Sequence, residues 1–291
     1  MTQSNHNKKV VELFLSLVEQ DIVSHSEELL DIAAANKIKY PYLRYLSDSE
    51  TSDHIVENKI FEMKSSQQAF ENDLQSVGRM LSEMGVSYAF IKTLFPFTYR
   101  GWDLNLLVSP ADKDAVIQRF KREGWYRSTF REHPIARTEP KKVMLEHETR
   151  TPIHVHDAVG WNGVEYISAK PVLESVREIN GVRYPSESMD WLIHCAHSVF
   201  ENYELTVGEA YLLREYERAS QAVISEYRLA DAVEIADRYT DAIHRGNWFH
   251  TPPIVYTYPE LLSAWRKHSH NISGLWELGS HHAFYTIKIL S

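Results

Sequence analysis

A single cysteine among 291 residues, Cys195, excludes an internal disulfide and leaves no CxxC pair for metal or redox chemistry. No run approaches eighteen uncharged apolar residues, so no membrane-spanning helix is encoded. The first nine residues are polar rather than signal-like. The expectation is a soluble, cytoplasmic protein with no membrane partner. Basic residues are outnumbered, 31 Lys and Arg against 40 Asp and Glu, for a net charge of −9. That balance lacks the positive field with which nucleic-acid proteins grip phosphates, and no basic tail compensates. Nucleic acid is therefore disfavoured as a partner. No Walker loop, GxGxxG, HExxH or GxSxG occurs. With 43% hydrophobic and 12% aromatic residues, a disordered chain is excluded as well.

Proline and glycine are sparse at the start: neither precedes Pro41, and neither recurs until Gly78. Helical spacing dominates this stretch. Val10, Leu13, Phe14, Leu17 and Val18 share a stripe, a second helix is expected at 26–35 with Ser24 or Ser26 as cap, and a long third at 52–84, capped by Gly85. The pattern changes after Gly85. Strands are expected at 87–91 and 103–108, then a helix at 111–122 opened by Pro110 and closed by Gly124. A hairpin is expected over 142–156, and Asn180-Gly181 signals a second one between 176–179 and 182–184. Helices are expected again at 188–201, 206–220 and 229–244, with one more at 259–267 after a break at Thr251-Pro252-Pro253. This is an α+β chain: an N-terminal helical region (1–84), a central α/β core with a small mixed sheet (85–186) and a C-terminal helical region (187–291).

Two strands carry most of the polar chemistry. In Gly101-Trp102-Asp103-Leu104-Asn105-Leu106-Leu107-Val108, Asp103 and Asn105 fall on the face opposite Leu104 and Leu106. Two oxygen donors on one face suit a hard cation, and equally suit a strand with one polar, solvated side. In Ile153-His154-Val155-His156 the two histidines face outward together, a spacing that either chelates a transition metal or is solvated surface, and Asp157 follows. Cys195 reads as packing, because its neighbours His194 and His197 do not give a cysteine–histidine dyad on a helix.

The segment Val86-Ser87-Tyr88-Ala89-Phe90-Ile91-Lys92, followed by Arg100 to Val108, resembles the core of the nucleotidyltransferase-fold (polymerase β-like) superfamily, and in particular a bacterial and archaeal branch of it. In that branch a strand ends in Lys-Gly and the next reads Gly-Asp-h-Asp-h-h-Val, with h hydrophobic. Gly124-Trp125-Tyr126 after the helix, Ile153–His156, and the run from Pro185-Ser186 to His197 follow in the family's order. The resemblance covers 85–197. It implies a site at Asp103, Asn105 and His154, to which the i,i+2 histidine spacing adds His156 as a further metal donor. It also implies Mg²⁺ with a nucleoside triphosphate, and transfer of a nucleotidyl group to a small-molecule or protein hydroxyl. Lys92, Thr93 and Arg100 flank the expected cleft as contacts for the triphosphate.

Three positions depart from the family pattern. Asn105 stands for the second acid, His154 for the third, and Thr93 for the glycine after the lysine. An amide is an uncharged ligand and an imidazole suits Mn²⁺ or Zn²⁺ better than Mg²⁺. Two functional readings follow. One is an active transferase, with Mg²⁺ or with Mn²⁺ or Zn²⁺ at Asp103, His154 and His156. The other is a degenerate fold, without metal, serving as a nucleotide-binding or protein-interaction module through its helical flanks.

Overall fold

The computed structural model describes residues 2–18, 27–48, 54–127, 142–161, 164–202 and 204–246. The helix expected at 259–267, the preceding proline break and the caps Ser24 and Ser26 lie outside the described residues.

Four helices open the chain: α1 (Gln3–Val18), α2 (Glu27–Ala35), α3 (Lys39–Asp48) and α4 (His54–Glu83). In α1 the buried residues Val10, Val11, Phe14 and Leu17 form one stripe, as an amphipathic helix on a core requires. Helix α3 falls between the helices expected at 26–35 and 52–84, in a stretch for which the sequence predicts no element and which contains Pro41. Pro41 occupies the third position of α3, where a backbone N–H has no intrahelical acceptor, so its missing donor costs no helical hydrogen bond.

The sheet begins with β1 (Tyr88–Phe90) and β2 (Leu104–Val108), then passes through α5 (Lys113–Arg122) to β3 (Tyr126–Arg127), β4 (Lys142–Glu146) and β5 (Ile153–His156). The strand order is β1-β2-β5-β4-β3; β2 and β5 run parallel and the other pairs are antiparallel, so the sheet is mixed. Residues directly paired across strands share a face. Tyr88, Phe90, Leu104, Leu106, Val108, Ile153 and Val155 pack with Val77, Leu81, Val116 and Phe120 of α4 and α5 in one hydrophobic core. Asn105, Leu107, His154 and His156 point the other way.

That second face is covered too. Two strands, β6 (Ala158–Trp161) and β7 (Val164–Ser168), form a separate ribbon, followed by α6 (Ala169–Glu174), which lies against β1 and β2. The hairpin of β8 (Val176–Ile179) and β9 (Val182–Pro185) turns on Asn180 and Gly181, both at positive φ (53° and 77°), as a two-residue primed turn demands.

Helix α7 (Glu187–His197) starts on Ser186, whose hydroxyl accepts from Met189 N–H, and ends in a π-helical turn, Ser198–Asn202. The helix expected over 206–220 ends early, as α8 (Val207–Glu215), and a short helix that the sequence does not predict, α9 (Gln221–Glu226), follows it. The chain turns extended at Tyr216, and Ser220 caps the new helix by accepting from Val223 N–H. Helix α10 (Ala230–His244) follows. The N-terminal and C-terminal helices share one large core with α6, the β6–β7 ribbon and Leu107 of the sheet. A buried clamp joins them: Lys37 Nζ donates to Glu209 Oε1 at 2.6 Å, and Val207 N–H donates to Asn36 Oδ1 at 3.2 Å. No helix of the described residues is long and apolar enough to cross a membrane.

Candidate functional site

The parallel register of β2 and β5 places Asn105 opposite His154, and Leu107 opposite His156. On the far side of β5, Lys142 lies opposite His156 and Met144 opposite His154. One face of three adjacent strands therefore presents an amide, two imidazoles and an ammonium in a contiguous patch. Asp103, one residue before β2, closes it at the strand entrance. Gly101 matters here because a Cβ would stand 3.3 Å from Phe70 Cζ and 3.2 Å from the Asp103 carbonyl oxygen.

The sequence has these histidines facing outward, as a metal-chelating pair or as solvated surface; the structure buries them, His154 at 5% exposure and His156 at 2%. The reason is the ribbon, α6 and the π-helical turn, which cover a sheet face that the strand pattern leaves polar. Burial then forces the polar atoms to satisfy one another. His154 Nδ1 lies 2.6 Å from Asp103 Oδ2, Asn105 Nδ2 donates to Asp103 Oδ1 at 2.7 Å, and His156 Nε2 lies 3.1 Å from Asn105 Oδ1. With Asn105 donating to the carboxylate, its oxygen accepts from His156 Nε2–H, and every donor in the chain of bonds leads to Asp103.

Protonation follows from the same geometry. Burial by itself raises the Asp103 carboxyl, but the His154 hydrogen bond and the charges of His154, Lys92 and Lys142 outweigh it and bring it down to about 2. Burial lowers His154 despite its bond to Asp103, with Lys142 and Lys92 adding to the effect. Burial lowers His156 further, again helped by the two lysines. Both imidazoles are thus pushed towards the neutral form while the Asp103 carboxylate is held charged. His154 Nε2, left as a lone pair, is buried and has no partner among the described residues.

A second group adjoins the first. Lys92 Nζ donates to Glu201 Oε2 at 3.1 Å, and Lys142 Nζ approaches Glu201 Oε1 at 3.4 Å. Glu201 also accepts from His197 Nδ1, while Asn202 Nδ2 donates to His197 Nε2 at 3.1 Å. Burial would raise the Glu201 carboxyl, but Lys92, His197 and Lys142 hold it well below the usual carboxylate range. The π-helical turn brings Glu201 and Asn202 together on His197, a use of this rare turn often seen at functional positions. Lys92 itself sits at φ 57°, left-handed backbone that a lysine occupies only under tertiary constraint. Between the groups lies a cavity of about 10 Å³, lined by Lys92, His156, His197 and Glu201 among others, room for a single water.

Of the residues picked from sequence, Asp103, Asn105, His154 and His156 come together and Lys92 stands beside them. Thr93 does not join: its hydroxyl donates to Ile91 O at 2.9 Å. Arg100 is exposed outside the cluster. Cys195 is buried and packed. Asp157 turns to Lys113, 3.1 Å away. Lys142, His197, Glu201 and Asn202 escape the sequence reading as members of this site. The alternation of Lys142 and Met144 opposite the histidines, and the i,i+4 spacing of His197 and Glu201, are the signals that carry them.

Two Mg²⁺ ions do not fit this donor set. A pair of divalent ions needs several anionic oxygens, and the cluster offers one carboxylate with both oxygens already engaged. Among the described residues no group of three or more His, Cys, Asp and Glu side chains is arranged to hold a metal ion.

No protein-family model matches the sequence, and no curated protein matches it. Among solved structures the chain is similar to a lincosamide antibiotic adenylyltransferase bound to lincomycin, with 16% identity and a TM-score of 0.35 over 50% of this chain and 94% of that one.

Proposed function

We propose that this chain is a nucleotidyltransferase-like protein in which a hydrogen-bonded network stands where relatives would hold metal, and that it works as a binding or assembly module rather than as a transferase. The order of elements supports the likeness: strand, strand with Asp103, helix, Gly124-Trp125, strand with His154, then Ser186 opening an acidic helix that ends at His197. One observation carries the loss of transfer chemistry. Both oxygens of Asp103 are spent on Asn105 and His154, and the nearby ammonium of Lys92 is spent on Glu201. Stabilising the charge of phosphoryl transfer needs free cations and open metal positions. The helical flanks, which share one core, are then the surface for a protein partner.

The transferase reading retains one specific support, the left-handed backbone at Lys92, since strain of this kind collects at functional positions. In that reading the acceptor is a small-molecule or protein hydroxyl. Pyrophosphate release from ATP, GTP, CTP and UTP, with Mg²⁺ and separately with Mn²⁺, distinguishes the two. The module reading expects none above background. Robust release that disappears in Asp103→Ala overturns it.

A further inference from the structure

On the apolar side of the sheet, away from the Asp103 network, α4, α5 and the segment before β5 line a pocket of about 170 Å³ that opens to solvent. Its charged lining is Arg79 and Glu83 from α4, Arg119 and Glu123 at the end of α5, and Arg150. Three guanidinium groups against two carboxylates leave a local positive excess on a chain whose net charge is −9. Arg119 uses a terminal nitrogen on Glu123 at 2.8 Å, yet its Nε is buried with no acceptor among the described residues.

The floor carries a second unsatisfied donor. Trp125 is 2% exposed, wedged against Phe120 and His147, and its indole Nε1 has no acceptor among the described residues. The exposed Arg150 lies over the indole face, 4.9 Å from its centroid. A buried N–H without an acceptor is costly, and the two residues that carry these donors, Arg119 and Trp125, both line this pocket beside Arg79 and Arg150. The pocket falls below the roughly 300–1,000 Å³ of sites for drug-sized ligands, a scale that suits a small anionic group.

We infer that the pocket lined by Arg79, Arg119, Trp125 and Arg150 is a binding site for a small oxyanion, phosphoryl or carboxylate, independent of the Asp103 network. The guanidinium groups would supply paired donors to its oxygens, and the buried indole a further one.

The test uses the full chain and titrates inorganic phosphate, glycerol 3-phosphate and acetate separately, each against sodium chloride at matched ionic strength. Binding is followed by calorimetry and by the melting temperature. Saturable stabilisation by phosphate or its ester, absent with acetate, identifies a phosphoryl ligand; the reverse identifies a carboxylate. Arg79→Gln and Arg150→Gln, both at exposed positions, are expected to weaken binding about tenfold or more each, and Trp125→Phe to weaken it without removing the ring. Arg245→Gln, on the surface of α10, leaves it unchanged. An effect no larger than that of chloride for all three anions overturns the proposal. So does saturable binding that survives intact in both arginine variants.

Discussion

Asn105 and His154 sit side by side in the parallel β2–β5 pair, and each gives a hydrogen to a different oxygen of Asp103, at 2.7 and 2.6 Å. A carboxylate awaiting metal would present both oxygens to an open cleft. Here the amide and the imidazole both bind the one carboxylate of the cluster. Asp103 is thereby the acceptor that holds β2 to β5 across a buried face.

This makes Asp103 a stability residue, and the sign of its removal is informative. Asp103→Ala leaves the Asn105 amide and His154 Nδ1–H without an acceptor; bonds to a charged group contribute about 1.5–3 kcal/mol each. The variant is expected to lose roughly 2–4 kcal/mol in denaturant unfolding. Carboxylates kept for catalysis in open sites commonly behave the other way, and their removal is neutral or stabilising. A more stable Asp103→Ala would restore a functional-site reading.

Metal content gives a second test. Any ion at Asp103, His154 and His156 would have to displace the bonds these side chains make to one another, with only His154 Nε2 already available. Protein purified without a histidine tag is expected to carry no stoichiometric Zn²⁺, Mn²⁺ or Fe²⁺ by elemental analysis, and its melting temperature should not rise when these ions are added. Near-stoichiometric metal that falls sharply in His154→Ala and His156→Ala would mean that the network rearranges into a ligand set.

Much of this site is legible in the sequence because strand alternation is a strict rule. Once 103–108 and 153–156 are strands, Asp103 and Asn105 share a side, as do His154 and His156, and a parallel pairing makes the two sides one. Burial is not legible in the same way. The β6–β7 ribbon and α6 that cover the patch are short elements with weak periodicity, so a polar face reads as a wet one. Helix α3, in the stretch that contains Pro41, is missed for a related reason: a proline is informative only once its place within a turn is known. Local spacing places Lys142 on a strand face and Glu201 one turn after His197, but only long-range packing brings the two side chains together at the site.

The clamp between the helical flanks predicts an acid limb. Burial raises the Glu209 carboxyl, but Lys37 outweighs it and brings Glu209 down to about 2 from an ordinary 4.5. A depressed folded value means that the stability is fully present above 4.5 and is lost as pH falls towards 2. Glu209→Gln should therefore flatten the loss of stability between these limits. Removing one partner of a buried pair also costs about 3–5 kcal/mol near neutrality. A wild-type acid limb that persists unchanged in the variant would place its origin elsewhere.

Helix α7 carries two buried groups with opposite pH demands. Asp190, 1% exposed, is raised to about 7 chiefly by burial, with Arg177 opposing. The unfolded chain releases this proton near 3.8, so the folded state loses stability as pH climbs from there through about 7. At about 1.4 kcal/mol per pH unit the penalty above neutrality is on the order of 4 kcal/mol. His194, also 1% exposed, is lowered to about 3 chiefly by burial, and neither ring nitrogen has a partner among the described residues. Unfolding lets it take a proton below 6.5, so its contribution is lost as pH falls from there towards 3. Asp190→Asn should raise the melting temperature more at pH 8 than at pH 4.5, and His194→Leu more at pH 4.5 than at pH 8. If both shifts prove independent of pH, the two side chains have enough access to water to titrate as they do in the unfolded chain, and α7 is less tightly covered than the structure places it.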